Sequence, residues 1–327
     1  MLEDVRSFPF LGLTVYLYGL FLAVAASAWL CLCGLLAKKK NLPINTVLLH
    51  GVLSIPMGLF FARLLFCLIR LPYYVETIGQ LLPMLYFWDG GLSMMGALLG
   101  VSLAALITAR IKHVQYGDLM DVLAVPAGLF IAIARLGEAY TVLGRGKIID
   151  AQWMQGSAFF GIRDGWGEDV YHAVFRYEAV AAALILCVML CLFFGRKTRA
   201  TAKPGDLALV FVTLFGSAQV VLESLRDDGH LLWGFVRVSQ IISILLPVAA
   251  VIVFSVRSIR REGVKWQLVL SWLIAAAAIG LGIIKEFDID TSNNLTREYA
   301  LMSLAMAVLA AIALLLWRRA NNKRQLS

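Results

Sequence analysis

Gln219, Glu223 and Arg226 stand at i, i+4 and i+7 of the apolar run "VTLFGSAQVVLESLRDDGH". On a helix they share one stripe, so an amide, an acid and a guanidinium form a polar seam. A charge at the centre of a bilayer costs about 2.5–3.5 kcal/mol on insertion scales, so such residues face protein or water. Arg135 and Glu138 sit three apart near the end of "AVPAGLFIAIARLGEAY", and Arg63 lies within "MGLFFARLLFCLIR". A fourth group, His172, Arg176, Tyr177 and Glu178, opens the next apolar run. The guanidinium fork matches phosphate geometry, so Arg135, at the level of the outer headgroups, can hold an anionic phospholipid. Each group also has a plainer reading. Arg63 can bind helix carbonyls, Arg135 can pair with Glu138, and Glu223 can pair with Arg226.

Other chemistries find little support. There is no phosphate-binding glycine loop and no Ser-His-Asp arrangement, and His50, His113, His172 and His230 are scattered. Cys31, Cys33, Cys67, Cys187 and Cys191 all lie in apolar runs, as small buried hydrophobes do, and imply no disulfide framework. Cys187 and Cys191 share a helix face but have no acid or histidine beside them. Neither a metal nor a soluble cofactor is expected.

These residues must be positioned by membrane spans. Of the 327 residues 61% are hydrophobic and 15% charged, against roughly 25% charged in a soluble domain. Nine apolar runs have the ~20-residue length of a bilayer crossing: about 10–37, 45–69, 91–109, 117–137, 173–195, 206–225, 236–256, 266–284 and 299–317. Alternate connections carry Lys38–Lys40, Arg110 and Lys112, Arg196–Lys203, Arg257–Lys265 and Arg318–Arg324, most of the 29 Lys and Arg residues. Basic short loops mark the cytoplasmic side, which puts the N-terminus outside and the C-terminus inside. The net charge of +8 therefore belongs to a membrane face, and no nucleic acid is expected. The acidic "MLEDVRSFPF" lacks a signal peptide's basic start, so the first span is expected to remain attached. Two outer segments are long: 70–90 reads as an interfacial amphipathic helix, and 138–172 as a small cap with short strands. The fold expected is an all-α polytopic membrane protein.

The order of the pieces resembles the prolipoprotein diacylglyceryl transferase family. "YLYGL" with Tyr18, then Arg63, "WDGGLS…GALLG", "DVLAVPAGLFIAIARLG", Gly144-Arg145, His172 with Tyr177-Glu178, and Glu223 with Arg226 come in sequence. The resemblance covers about 10–256, a seven-span core at 1–256 with its cap. The hairpin and basic tail at 257–327 lie outside it. It implies transfer of the diacylglyceryl group of phosphatidylglycerol to a lipobox cysteine of a prolipoprotein, in a bacterial cell membrane, without cofactor. It also implies catalytic roles for Tyr18, Arg135, Glu138 and Glu223. Substrate contacts would come from Arg63, Arg145, Arg226, Gln219, Tyr177, Glu178 and Met95.

Three positions depart from the family pattern. Met95 stands where the family has a histidine, Glu138 replaces an asparagine, and Gln219 replaces an arginine. Met95 cannot take a proton, so an acid such as Glu138 must serve as base, with Arg135, Arg145 and Arg226 on the phosphate. The competing readings are a scaffold that binds lipid or lipoprotein without the chemistry, and a small-solute transporter. The latter would show broken helices and inverted repeats, and the sequence shows neither. On the transferase reading Arg135 faces an interior cavity opposite Glu223 and Arg226, with Met95 at its mouth.

Overall fold

The computed structural model describes residues 6–10, 12–87, 90–141, 144–149, 151–163, 169–227, 231–233, 236–289, 291–292 and 294–321. Trp88 and Asp89 of the glycine motif, His230, Lys323 and Arg324 lie outside them.

A hairpin of β1 (Ser7–Phe10) and β2 (Leu13–Tyr16) precedes α1 (Leu17–Lys39), so the first helix starts later than its apolar run. α2 (Ile44–Ile69) returns to the other side. The next segment is a π-helical turn, Tyr73–Ile78, and a 3₁₀ turn, Leu82–Leu85, rather than the amphipathic helix expected over 70–90. Pro72 and Pro83 interrupt any longer ladder of backbone hydrogen bonds. Gly90 and Gly91 then adopt left-handed φ of 77° and 68°. Ser93 caps α3 (Met94–Lys112), accepting from the Gly96 amide at 3.3 Å. Gly96 and Gly100 bring α3 against the backbone of α2, where a Cβ would strike the carbonyls of Phe61 and Met57.

The fourth crossing is broken, which the sequence reading did not foresee. α4 (Tyr116–Ala124) and α5 (Ala127–Gly137), the latter continued by a 3₁₀ turn over Glu138–Tyr140, meet at 41°. Pro126 supplies no N–H to the turn before it, so the ladder stops there. The cap follows: β3 (Arg145–Ile148), α6 (Gln152–Gln155), β4 (Gly161–Arg163) and β5 (Val170–Ala173), a three-stranded antiparallel sheet in the order β3-β5-β4. The chain then runs through α7 (Val174–Phe194), the short α8 (Arg196–Thr201), and α9 (Asp206–Leu225). A small ribbon of β6 (Leu232–Trp233) and β7 (Val236–Arg237) leads to α10 (Val238–Glu262). α11 (Trp266–Ile289) and α12 (Leu295–Asn321) end the described chain.

Among the described residues eight of these helices are long and apolar enough to cross a membrane, nine if the bent α4–α5 pair counts as one span. The molecule is an all-α polytopic membrane protein. Large apolar side chains such as Leu35, Ile55, Leu184 and Leu273 are outward-facing, where lipid rather than water meets them. α9 is the central helix: 67% of its apolar window is buried, against 22–50% in the other long helices. The last two helices are not a loose addition, since α12 buries Met302, Ala305, Leu309, Ala313 and Leu316 within the molecule.

α9 is anchored at its N-terminus by two fully enclosed acids. Asp121 of α4 accepts from the Leu207 and Ala208 amides at 2.9 and 3.1 Å, and from Lys40 at 2.9 Å. Asp206 accepts from Arg257, from Trp317 Nε1 at 3.0 Å and from Asn321 Nδ2 at 2.5 Å. The first amides of a helix lack partners within it, and its dipole favours negative charge there. All five cysteines are free thiols.

Candidate active site

At the opposite end of α9, three helices bring their charged residues together. Arg135 comes from the last turn of α5 and Glu138 from the 3₁₀ turn that follows. Glu178 comes from the start of α7; Gln219, Glu223 and Arg226 come from the end of α9. Each is between 2% and 7% exposed, so the group is closed to solvent.

Glu178 is the hub. Arg135 Nε approaches its Oε2 at 3.1 Å, Arg226 lies 3.2 Å from the same oxygen, and Gln219 Nε2 donates to its Oε1 at 2.8 Å. The Gln219 amide also donates to Glu223 Oε1 at 3.0 Å. Arg135 pairs with Glu138 Oε1 across one turn. Glu138 Oε2 lies 3.8 Å from Arg226, beyond hydrogen-bonding reach, and accepts no hydrogen bond from the described residues. Three carboxyls thus share two guanidiniums and one neutral amide. Pairing of this quality lets charge stay inside.

The cap closes this end. Gly146 bridges to Arg226, the Asp227 amide donates to the Arg145 carbonyl at 3.0 Å, and the Phe175 amide donates to the Gly144 carbonyl at 3.3 Å. Gly144 has a φ of 78°, and a Cβ there would come 2.7 Å from Glu138 Oε2. A side chain at 144 would therefore displace the carboxylate that accepts no hydrogen bond. Tyr18, in the first turn of α1, lies within electrostatic reach of Glu138, Arg135, Arg226 and Glu178.

Other residues expected at the site fall elsewhere. Arg63 is an organiser of the segment between α2 and α3: it donates to the carbonyls of Met84 and Pro83, each at 2.9 Å, and to those of Gly90 and Gly91. That places it in the packing role left open by the sequence and fixes the glycine entry to α3. Tyr177 faces the cap, donating to the Phe160 carbonyl at 2.8 Å and meeting His172 Nδ1 at 3.0 Å. Arg176 likewise holds the Ala158, Phe159 and Gly161 carbonyls. Arg145 opens β3, next to Gly146, which bridges to Arg226.

Met95 is 5% exposed and packs into the apolar core, not at a cavity mouth. Its neighbour Met94 is the one that reaches the cluster, with Sδ 3.2 Å from Arg135 Nη2. Adjacent helical residues differ by ~100° in direction, so only one of the pair can face the charges. Of this methionine pair, sequence reasoning gave the site role to Met95 and not to Met94. Ser93 as cap, fixing where the helix begins, is the signal that could have found it. Asp121 and Asp206 were also passed over, because a single acid near a span's end looks like ordinary loop charge.

A family model described as prolipoprotein diacylglyceryl transferase matches residues 7–256. Among similar proteins is the phosphatidylglycerol–prolipoprotein diacylglyceryl transferase of Listeria welshimeri, 27% identical over 243 residues, which are 73% of this chain and 84% of that one. The protein of the same name from Bacillus licheniformis is 25% identical over 256 residues, covering 77% and 92%. That from Acaryochloris marina is 28% identical over 240 residues, covering 70% and 81%. With the match spanning the hairpin at β1, the charged cluster and all but the last turns of α10, the chain belongs to the prolipoprotein diacylglyceryl transferase family.

Proposed function

We propose that the protein transfers the diacylglyceryl group of phosphatidylglycerol to the thiol of a lipobox cysteine in a prolipoprotein. The observation that carries this reading is the meeting of Arg135 and Arg226 with three carboxyls at the outer ends of α5, α7 and α9. Two guanidiniums suit the phosphate of the lipid, and their charge stabilises glycerol phosphate as it leaves. The sulfur forms a bond to the terminal glyceryl carbon while the carbon–oxygen bond to phosphate breaks. The thiol proton passes to a carboxylate. Glu138 is our choice, since Oε2 accepts no hydrogen bond; Glu223 is the second acid within the same seam.

In this reading Tyr18 lends its hydroxyl to the same charges, and Glu178 and Gln219 hold the guanidiniums in place. Arg145 adds a cation from the cap, and Tyr177 fixes that cap through Phe160. Arg63 shapes the approach and Met95 backs α3. No cofactor takes part. The partners are phosphatidylglycerol, the signal peptide with its lipobox, and surrounding lipid, with no nucleic acid. The protein lies in a bacterial cell membrane, N-terminus outside and C-terminus in the cytoplasm, with residues 1–256 as the transferase core and 257–327 as an additional hairpin and tail. Expression in a strain depleted of its own transferase tests this. Conversion of a tagged prolipoprotein, read as a mobility shift, is expected; an inserted, folded protein that leaves the precursor unmodified contradicts it.

A further inference from the structure

The family match stops at residue 256, yet the hairpin beyond it reaches the helix that carries the site. α12 grips α9 at both ends. Trp317 and Asn321 bind Asp206 at the inner end, and the Tyr299 hydroxyl donates to the Ser224 carbonyl at 3.2 Å at the outer end. Ser224 is in the last turn of α9, whose final carbonyls have no amide of the helix to accept from. One turn earlier, Gln240 Nε2 donates to the Val220 carbonyl at 3.2 Å and to Glu286 of α11 at 2.8 Å. Lys285 joins the end of α11 to Glu298 at the start of α12 at 2.8 Å, so the outer end of the hairpin is itself fixed.

Val220 and Ser224 directly follow Gln219 and Glu223 in the chain. The backbone that sets the polar seam is therefore held by groups from α10 and α12. A hairpin serving only as an anchor needs an apolar surface. It needs no hydroxyl or amide aimed at these two carbonyls.

We propose that the α11–α12 hairpin positions the reaction site, with Tyr299 and Gln240 as positioning residues that set the last two turns of α9. Glu223 and Arg226 thereby keep their place opposite Glu178 and Arg135. Only the kinetic arm of the test rests on the transferase reading.

Tyr299→Phe keeps the ring and deletes the hydroxyl, and Gln240→Met keeps the volume and deletes the amide. The full chain is studied in vesicles containing phosphatidylglycerol. A net hydrogen bond is worth about 1 kcal/mol, or roughly fivefold in rate, so kcat should fall about fivefold in each variant with KM within twofold of wild type. Amide hydrogen exchange over 219–226 should quicken in both, while 206–212 keeps wild-type protection. Trp317→Phe, which removes a donor at the inner end, should quicken exchange at 206–212 and leave kcat unchanged. Wild-type exchange at 219–226 in both Tyr299→Phe and Gln240→Met overturns the proposal, as does unaltered kcat in both. If wild type shows no transfer at all, the transferase reading fails, and the exchange measurement alone decides the positioning role.

Discussion

The two ends of α9, inner and outer in the proposed orientation, are built from the same ingredients and arranged to opposite effect. At the inner end Asp118, Asp121 and Asp206 face Lys40 and Arg257. At the outer end Glu138, Glu178 and Glu223 are gathered with Arg135 and Arg226. Each of these two sets holds three acids and two cations. The inner acids lie at a helix N-terminus, where the dipole is positive and free amides point at them, and Trp317 and Asn321 add neutral donors. The outer group gathers at the C-terminal ends of α5 and α9, where the dipole is negative. Only Glu178, near the start of α7, has a helix in its favour, and it is also the acid with the most partners. The inner acids each have cationic or amide partners, and they hold the fold. The outer end encloses Glu138 Oε2, which accepts no hydrogen bond from the described residues, and a buried polar atom left in this way is characteristic of a reaction site.

The comparison would break most visibly at Arg135. On the proposed function Arg135→Ala removes a charge-assisted contact to phosphate worth about 1.5–3 kcal/mol, so transfer should fall roughly ten- to a hundredfold. Arg135→Lys should recover only part, because an ammonium lacks the fork. Full activity in the alanine variant would remove this end from the chemistry.

A matched pair of isosteric changes sharpens the contrast. Glu223→Gln should lower turnover about a hundredfold, the lower end of the range for loss of an acid–base group, while leaving the melting temperature equal or higher. Asp206→Asn should do the reverse. It loses a charge-assisted contact of about 1.5–3 kcal/mol in stability, with kcat of the folded protein within about twofold. Thermal melting and initial rates on the same preparations check both, and a fall in stability for Glu223→Gln would erase the distinction.

Smaller effects are expected elsewhere. Gln219→Arg adds a cation beside Glu178 and Glu223, and should be tolerated or raise turnover a few-fold; a large loss would mean the neutral amide is required. Met95→Leu exchanges two apolar side chains of similar volume in the core, at a cost under about 1.5 kcal/mol and little change in rate.

Much of this arrangement could be read from the chain. Apolar run length gave the crossings, and the 3.6-residue period put Gln219, Glu223 and Arg226 on one stripe. The hub role of Glu178 was hidden, because Tyr177 and Glu178 are neighbours in sequence and only packing decides which one turns inward. The break at Pro126 followed from one missing N–H inside a run whose hydropathy never falters. The pairing of Gly146 with Arg226 joins residues eighty apart, and no local pattern encodes it. Met94 and Met95 differ by one residue, and the helix start at Ser93 settles which of them meets Arg135.

The central claim is that the outer end of α9 performs the transfer. Its most direct test is release of glycerol phosphate from phosphatidylglycerol by the purified protein, with and without a lipobox peptide. Release that depends on the peptide thiol, survives Asp206→Asn and collapses in Arg135→Ala is the result predicted. Equal release without the peptide, or none from folded wild-type protein, would contradict it.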